Sequence, residues 1–146
     1  MSEFAERYWG HFAACLRWTD AEALAERVAA QPGPWYWAEP ENDGVPVHTL
    51  DADAAAARFR EHVAEMQRLK KGAYCNLIFA DASEEPGLIK LFHPRRSGDA
   101  CRVGGDPIPP WGVLSRYPVD TAVFGTGGET EGESPRLWRR LLRIGS

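Results

Sequence analysis

Two apolar runs, residues 73–80 and 88–92, are separated by the turn cluster Ser83-Glu84-Glu85-Pro86-Gly87, and this short connection constrains the fold more than any other feature. Parallel strands need a crossover of a dozen or more residues, usually a helix, whereas a Pro-Gly turn closes an antiparallel hairpin. The same reasoning applies upstream. Trp35-Tyr36-Trp37-Ala38 and Val45-Pro46-Val47-His48-Thr49-Leu50 flank the turn cluster 39–44. Pro46 has no N–H to donate, so the second of these strands belongs at a sheet edge. Connections this short argue against a doubly wound parallel sheet and predict an α+β fold with a mainly antiparallel sheet.

Helical spacing fills in the rest. Phe4, Tyr8, Phe12 and Leu16 recur every four residues and predict a helix over 3–17. Thr19 and Glu22 have capping-box spacing, which starts a second helix at 20–31 that Pro32-Gly33-Pro34 ends. These two helices are expected to form an antiparallel hairpin. A long helix over 53–71 carries Ala55, Phe59, Val63 and Met66 on one face, with Asp51 or Asp53 as cap and Gly72 as its left-handed release. Further strands are expected at 113–117 and 121–124. Ser134-Pro135 opens a short helix bearing Leu137, Trp138, Leu141 and Leu142 among four arginines. The 146 residues thus read as a single globular domain, the sheet covered by an N-terminal helical hairpin and the long central helix. Phe4, Tyr8, Phe12, Leu24, Val28, Phe59, Val63, Met66, Leu77, Phe79 and Leu91 are expected to share one core. Trp35, Tyr36 and Trp37 cannot all enter it, because neighbours on a strand face opposite ways.

Charge and cysteine content narrow the function classes. With 21 acidic against 17 basic residues the net charge is −4, without the basic excess of a nucleic-acid binder. Three widely spaced cysteines without a CxxC pair argue against a disulfide framework and for a reducing, cytoplasmic setting. No apolar run is long enough to span a membrane, and residues 1–7 lack a signal-peptide pattern. Spacing for a metal site is absent, so neither a metal nor another cofactor is expected. Gly125-Thr126-Gly127-Gly128 lacks the lysine of a phosphate-binding loop and runs into Glu129, Glu131 and Glu133, so residues 125–133 read as a flexible acidic segment.

Chemistry-bearing residues cluster in one place. Residues 93–111 hold four prolines and three glycines with no apolar periodicity, and loops of that length are commonly functional. Arg95, Arg96 and Arg102 can grip a carboxylate or phosphate through the forked guanidinium, with Trp111 as an aromatic contact. The leading expectation is therefore a small binding or accessory protein, not an enzyme, that meets a protein or an anionic ligand through this Arg- and Trp-containing loop. The alternative is a thiol enzyme or redox-active protein in which His93 serves Cys101 as base and nearby arginines lower the thiol pKa. His62 flanks the apolar stripe of the long helix and reads as a hydrogen-bonded boundary residue. Cys15 and Cys75 read as small buried hydrophobes.

Overall fold

The computed structural model describes residues 2–96 and 109–124. Six strands form one sheet in the order β1-β4-β5-β6-β2-β3, with every neighbouring pair antiparallel. They are β1 (Ala13–Ala14), β2 (Trp35–Ala38), β3 (Val47–Leu50), β4 (Ile78–Ala80), β5 (Leu88–Leu91) and β6 (Gly112–Ser115). Among the described residues three α-helices accompany them: α1 (Glu3–Tyr8), α2 (Trp18–Ala30) and α3 (Ala52–Leu69). The α+β class and antiparallel sheet thus match the expectation from the short connections. Hairpin β4–β5 pairs Ile78 with Leu91 and Ala80 with Ile89. The Asp81 carboxylate closes its turn by accepting the N–H groups of Gly87 and Leu88. Strand β3, just after Pro46, lies at a sheet edge as the missing donor requires.

Helices α2 and α3 pack on each other and on one face of the sheet, where Leu24, Val28, Phe59 and Met66 meet Trp35, Trp37, Ile89, Leu91 and Leu114. Asp51 caps α3 by accepting the Ala54 N–H at 2.8 Å, and the helix ends at Leu69, two residues before the expected 71, because Lys70 already turns extended; Gly72 takes φ +107° in the chain beyond and does not itself release the helix. The opposite face carries a second cluster of Phe4, Tyr8, Ala38, Leu88 and Val113, with Phe12, Val123 and Phe124 against it. Trp35 and Trp37 are fully buried on the first face, and the intervening Tyr36 is half-buried, as strand alternation demands.

Several expectations are corrected. The first helix stops at Tyr8 instead of residue 17, where the Gly10 N–H closes onto the Arg7 carbonyl and the chain turns extended into β1. A four-residue repeat is also a multiple of the two-residue strand repeat, so Phe12 and Leu16 satisfied both patterns. The N-terminal helical hairpin accordingly does not form. Strand β1 separates α1 from α2, and the two helices contribute to different clusters, which also divides the expected single core in two. Helix α2 begins at Trp18 with Arg17 at its cap position, two residues earlier than a Thr19 cap would start it. The Asp20 carboxylate accepts the Arg17 N–H at 3.1 Å, while Glu22 reaches across to Arg60. The strand expected over 74–80 is shortened to three residues because Asn76 takes φ +57°, which a ladder cannot accommodate. Residues 121–124 form a 3₁₀ turn instead of a strand, since Asp120 draws in the N–H groups of Ala122 and Val123. The acidic segment 125–133 and the helix expected from Ser134 lie outside the described residues.

Candidate functional site

The aromatic site starts from a missing side chain. Gly112 leaves space on β6 into which the six-membered ring of Trp37 lies from the neighbouring strand β2, so close that a Cβ there would sit 2.1 Å from a ring carbon. Trp37 is held from the other end, donating its indole N–H to Glu39 Oε2 at 3.0 Å. The Arg58 guanidinium lies 5.7 Å from the ring centroid and 3.9 Å from the same carboxylate.

His62, projecting from α3, packs on Trp37 with ring centroids 4.6 Å apart and on Trp111 at 4.4 Å. Trp111 then meets His93 edge-on at 4.8 Å. Four rings from four places in the chain thus form one continuous run of tilted and edge-on ring contacts from the core to the surface. Trp111 is positioned by its own N–H, donated to the Leu91 carbonyl at the end of β5 at 2.7 Å.

The protonation of both histidines follows from their partners. His62 Nδ1 lies 2.9 Å from the Arg58 carbonyl, which can only accept, so Nδ1 carries the hydrogen. Burial, aided by the Arg58 charge, pushes the His62 pKa below its ordinary value against the opposing pull of that carbonyl and of Glu39 and Glu61. His93 Nδ1 accepts the Arg95 N–H at 3.2 Å, so in the neutral ring Nε2 holds the hydrogen. Burial and the Arg95 charge lower its pKa, with Glu41 and Glu65 acting the other way. Arg95 donates to Glu41 Oε1 at 2.6 Å; the arginine side chain is about half exposed and the glutamate 12% exposed.

Of the residues singled out by sequence, His93, Arg95 and Trp111 are brought together here. Arg96 closes the short 3₁₀ turn Pro94–Arg96, and Cys101 and Arg102 lie outside the described residues. The structure adds Trp37, Glu41 and His62. His62 could be placed beside the apolar stripe from its helical spacing, and that it is hydrogen-bonded was expected, whereas the Arg58 carbonyl as its partner was not. Nothing local in the turn cluster 39–44 marked Glu41 as the partner of an arginine 54 residues away.

Other reactive groups lie elsewhere. Burial pushes the Cys15 thiol up to about 12, with Cys75 and Asp20 adding to the effect, and burial likewise raises Cys75. Both are free thiols held in their protonated form at neutral pH. On the second face, Lys90 donates to the Tyr8 carbonyl at 2.9 Å and lies 3.9 Å and 4.0 Å from the ring centroids of Tyr8 and Phe12. Burial brings its pKa down to about 8. Among the described residues, no group of three His, Cys, Asp or Glu side chains could hold a metal ion, and no helix is long and apolar enough to cross a membrane. No protein-family model, curated protein or solved structure matches the chain.

Proposed function

We propose that this chain is a small, single-domain cytoplasmic binding protein that takes a small ligand combining a planar ring with an anionic group. The observation carrying this reading is the edge contact of the half-exposed Trp111 and His93 rings, with the half-exposed Arg95 guanidinium near enough for its charge to act on His93. A ring stacks on Trp111 or His93, and the anionic group takes the Arg95 nitrogens directed away from Glu41. The net charge of −4 favours a discrete anion over a nucleic-acid backbone.

The thiol-enzyme alternative is weaker. A histidine serving as base for Cys101 must offer a nitrogen lone pair, and the Arg95 N–H already occupies the one on His93 Nδ1.

Phenyl phosphate, phenol and inorganic phosphate separate the two halves of the proposed recognition. Phenyl phosphate should raise the melting temperature, as expected for about 2.7 kcal/mol of stabilisation at a hundredfold excess over Kd, and quench tryptophan fluorescence. Phenol and phosphate alone should do much less. Arg95→Gln should abolish the advantage of phenyl phosphate over phenol while leaving the unliganded melting temperature near that of the wild type. No stabilisation by phenyl phosphate, or equal stabilisation of the variant, refutes the assignment.

A further inference from the structure

The sheet ends in two unlike edges. Strand β3 follows directly on Pro46, which limits how far pairing can extend along it. The β1 edge has no such guard. Ala13 and Ala14 present only methyl groups, and the chain continues against its inner neighbour through Cys15 N–H to Ile78 O and Cys75 N–H to Leu16 O, then the Arg17–Tyr74 bridge. Because Cys15 donates inward, strand alternation turns the N–H and C=O of Ala14 outward, and no strand among the described residues pairs with that side.

Two further features flank the same edge. Leu16 and Tyr74 stand 57% and 55% exposed, among the few large hydrophobic side chains left in solvent. Between β1 and α2 runs a groove of about 180 Å³ with Ala13, Ala14 and Ala23 in its wall, Asp20 toward the start of α2 and Arg27 toward its end. A volume of this size accepts one large apolar side chain.

We propose that the β1 edge is where two copies of this chain associate, strand against strand and antiparallel about a two-fold axis perpendicular to the sheet. The charge arrangement favours a second copy over a foreign peptide. Reversal about that axis sets the Asp20 end of each α2 against the Arg27 end of its partner, so the pattern of charge is complementary to itself. Arg27 is available for this, since its contact with Glu84 is long at 3.8 Å and that glutamate is 84% exposed. Apolar knobs and an apolar groove on one edge are likewise self-complementary, and the association joins the two sheets into one of twelve strands.

Sedimentation velocity from low micromolar to hundreds of micromolar tests this on the full chain. The wild type should move from the 16.3 kDa mass to twice that mass as concentration rises. Ala14→Pro removes an outward N–H where proline is tolerated on an edge and should weaken association at least about tenfold. Leu16→Glu changes an exposed side chain and should weaken it comparably with an unaltered melting temperature, so a folding defect in the proline variant leaves the test intact. A wild type that stays monomeric throughout, including one that captures an extended peptide instead, overturns the proposal. So does a dimer that Leu16→Glu leaves unaffected.

Discussion

Replacing Gly112 with alanine probes the contact on which the aromatic site rests. Gly112 does not have a positive φ, so its backbone suits an L residue, and the lost chain freedom of glycine alone would favour alanine by about 0.4–1 kcal/mol. Sterics oppose this. The new methyl would lie 2.1, 2.4 and 3.0 Å from three carbons of the Trp37 six-membered ring, the nearest more than 1 Å short of ordinary contact. The ring is fully buried, packed on His62 and tethered to Glu39, so moving it disturbs both contacts. Overpacking of this kind costs about 1–3 kcal/mol. Moving the indole far enough to relieve it gives up a hydrogen bond to a carboxylate, about 1.5–3 kcal/mol more. Net destabilisation of about 2–5 kcal/mol is therefore expected, a large part of typical domain stability. Urea denaturation followed by circular dichroism measures it. In a Trp37→Leu background the clashing carbons are gone, and the same glycine change should cost less than about 1 kcal/mol, the difference being the coupling between the sites. A loss below about 0.5 kcal/mol in the wild type, or equal losses in both backgrounds, refutes the close-approach argument.

Two further outcomes follow from particular groups. Asp20→Ala should cost about 1 kcal/mol in urea unfolding while Thr19→Ala stays within about 0.5, because the aspartate and not the threonine serves the start of α2; equal effects would restore the Thr19 cap. Lys90 titrates at about 8 when folded against about 10.4 when unfolded, so the unfolded chain binds more protons between those values and the contribution of Lys90 to stability rises with pH across that window. The stability of the wild type relative to Lys90→Met should therefore increase from pH 7.5 to 9.5, and a flat difference would show that Lys90 is not desolvated.

Much of the fold was legible because it follows from local physics. Short Pro- and Gly-containing connections set antiparallel pairing, Asp51 marked the start of α3, and Pro46 put β3 at an edge. The end of α1 was not legible, since a spacing of four fits a helix and a strand alike and only the pairing of Ala13 and Ala14 with β4 decides between them. The candidate site was half legible. His93, Arg95 and Trp111 share one region of sequence, whereas His62, Trp37 and Glu41 reach them only through the docking of α3 and the β2–β6 pairing.

The sequence by itself determined which segments hide apolar surface and which way consecutive strands run, because both depend on spacing and on the chemistry of a few neighbouring residues. Only the tertiary structure decided which faces meet. An apolar stripe carries no address, so nothing in α1 or α2 alone says that they cover opposite sides of the sheet. Nor does a glycine in sequence reveal that it is the space occupied by a tryptophan two strand registers and 75 residues away. Burial is non-directional, and its partners are selected by the shape of the whole packed chain.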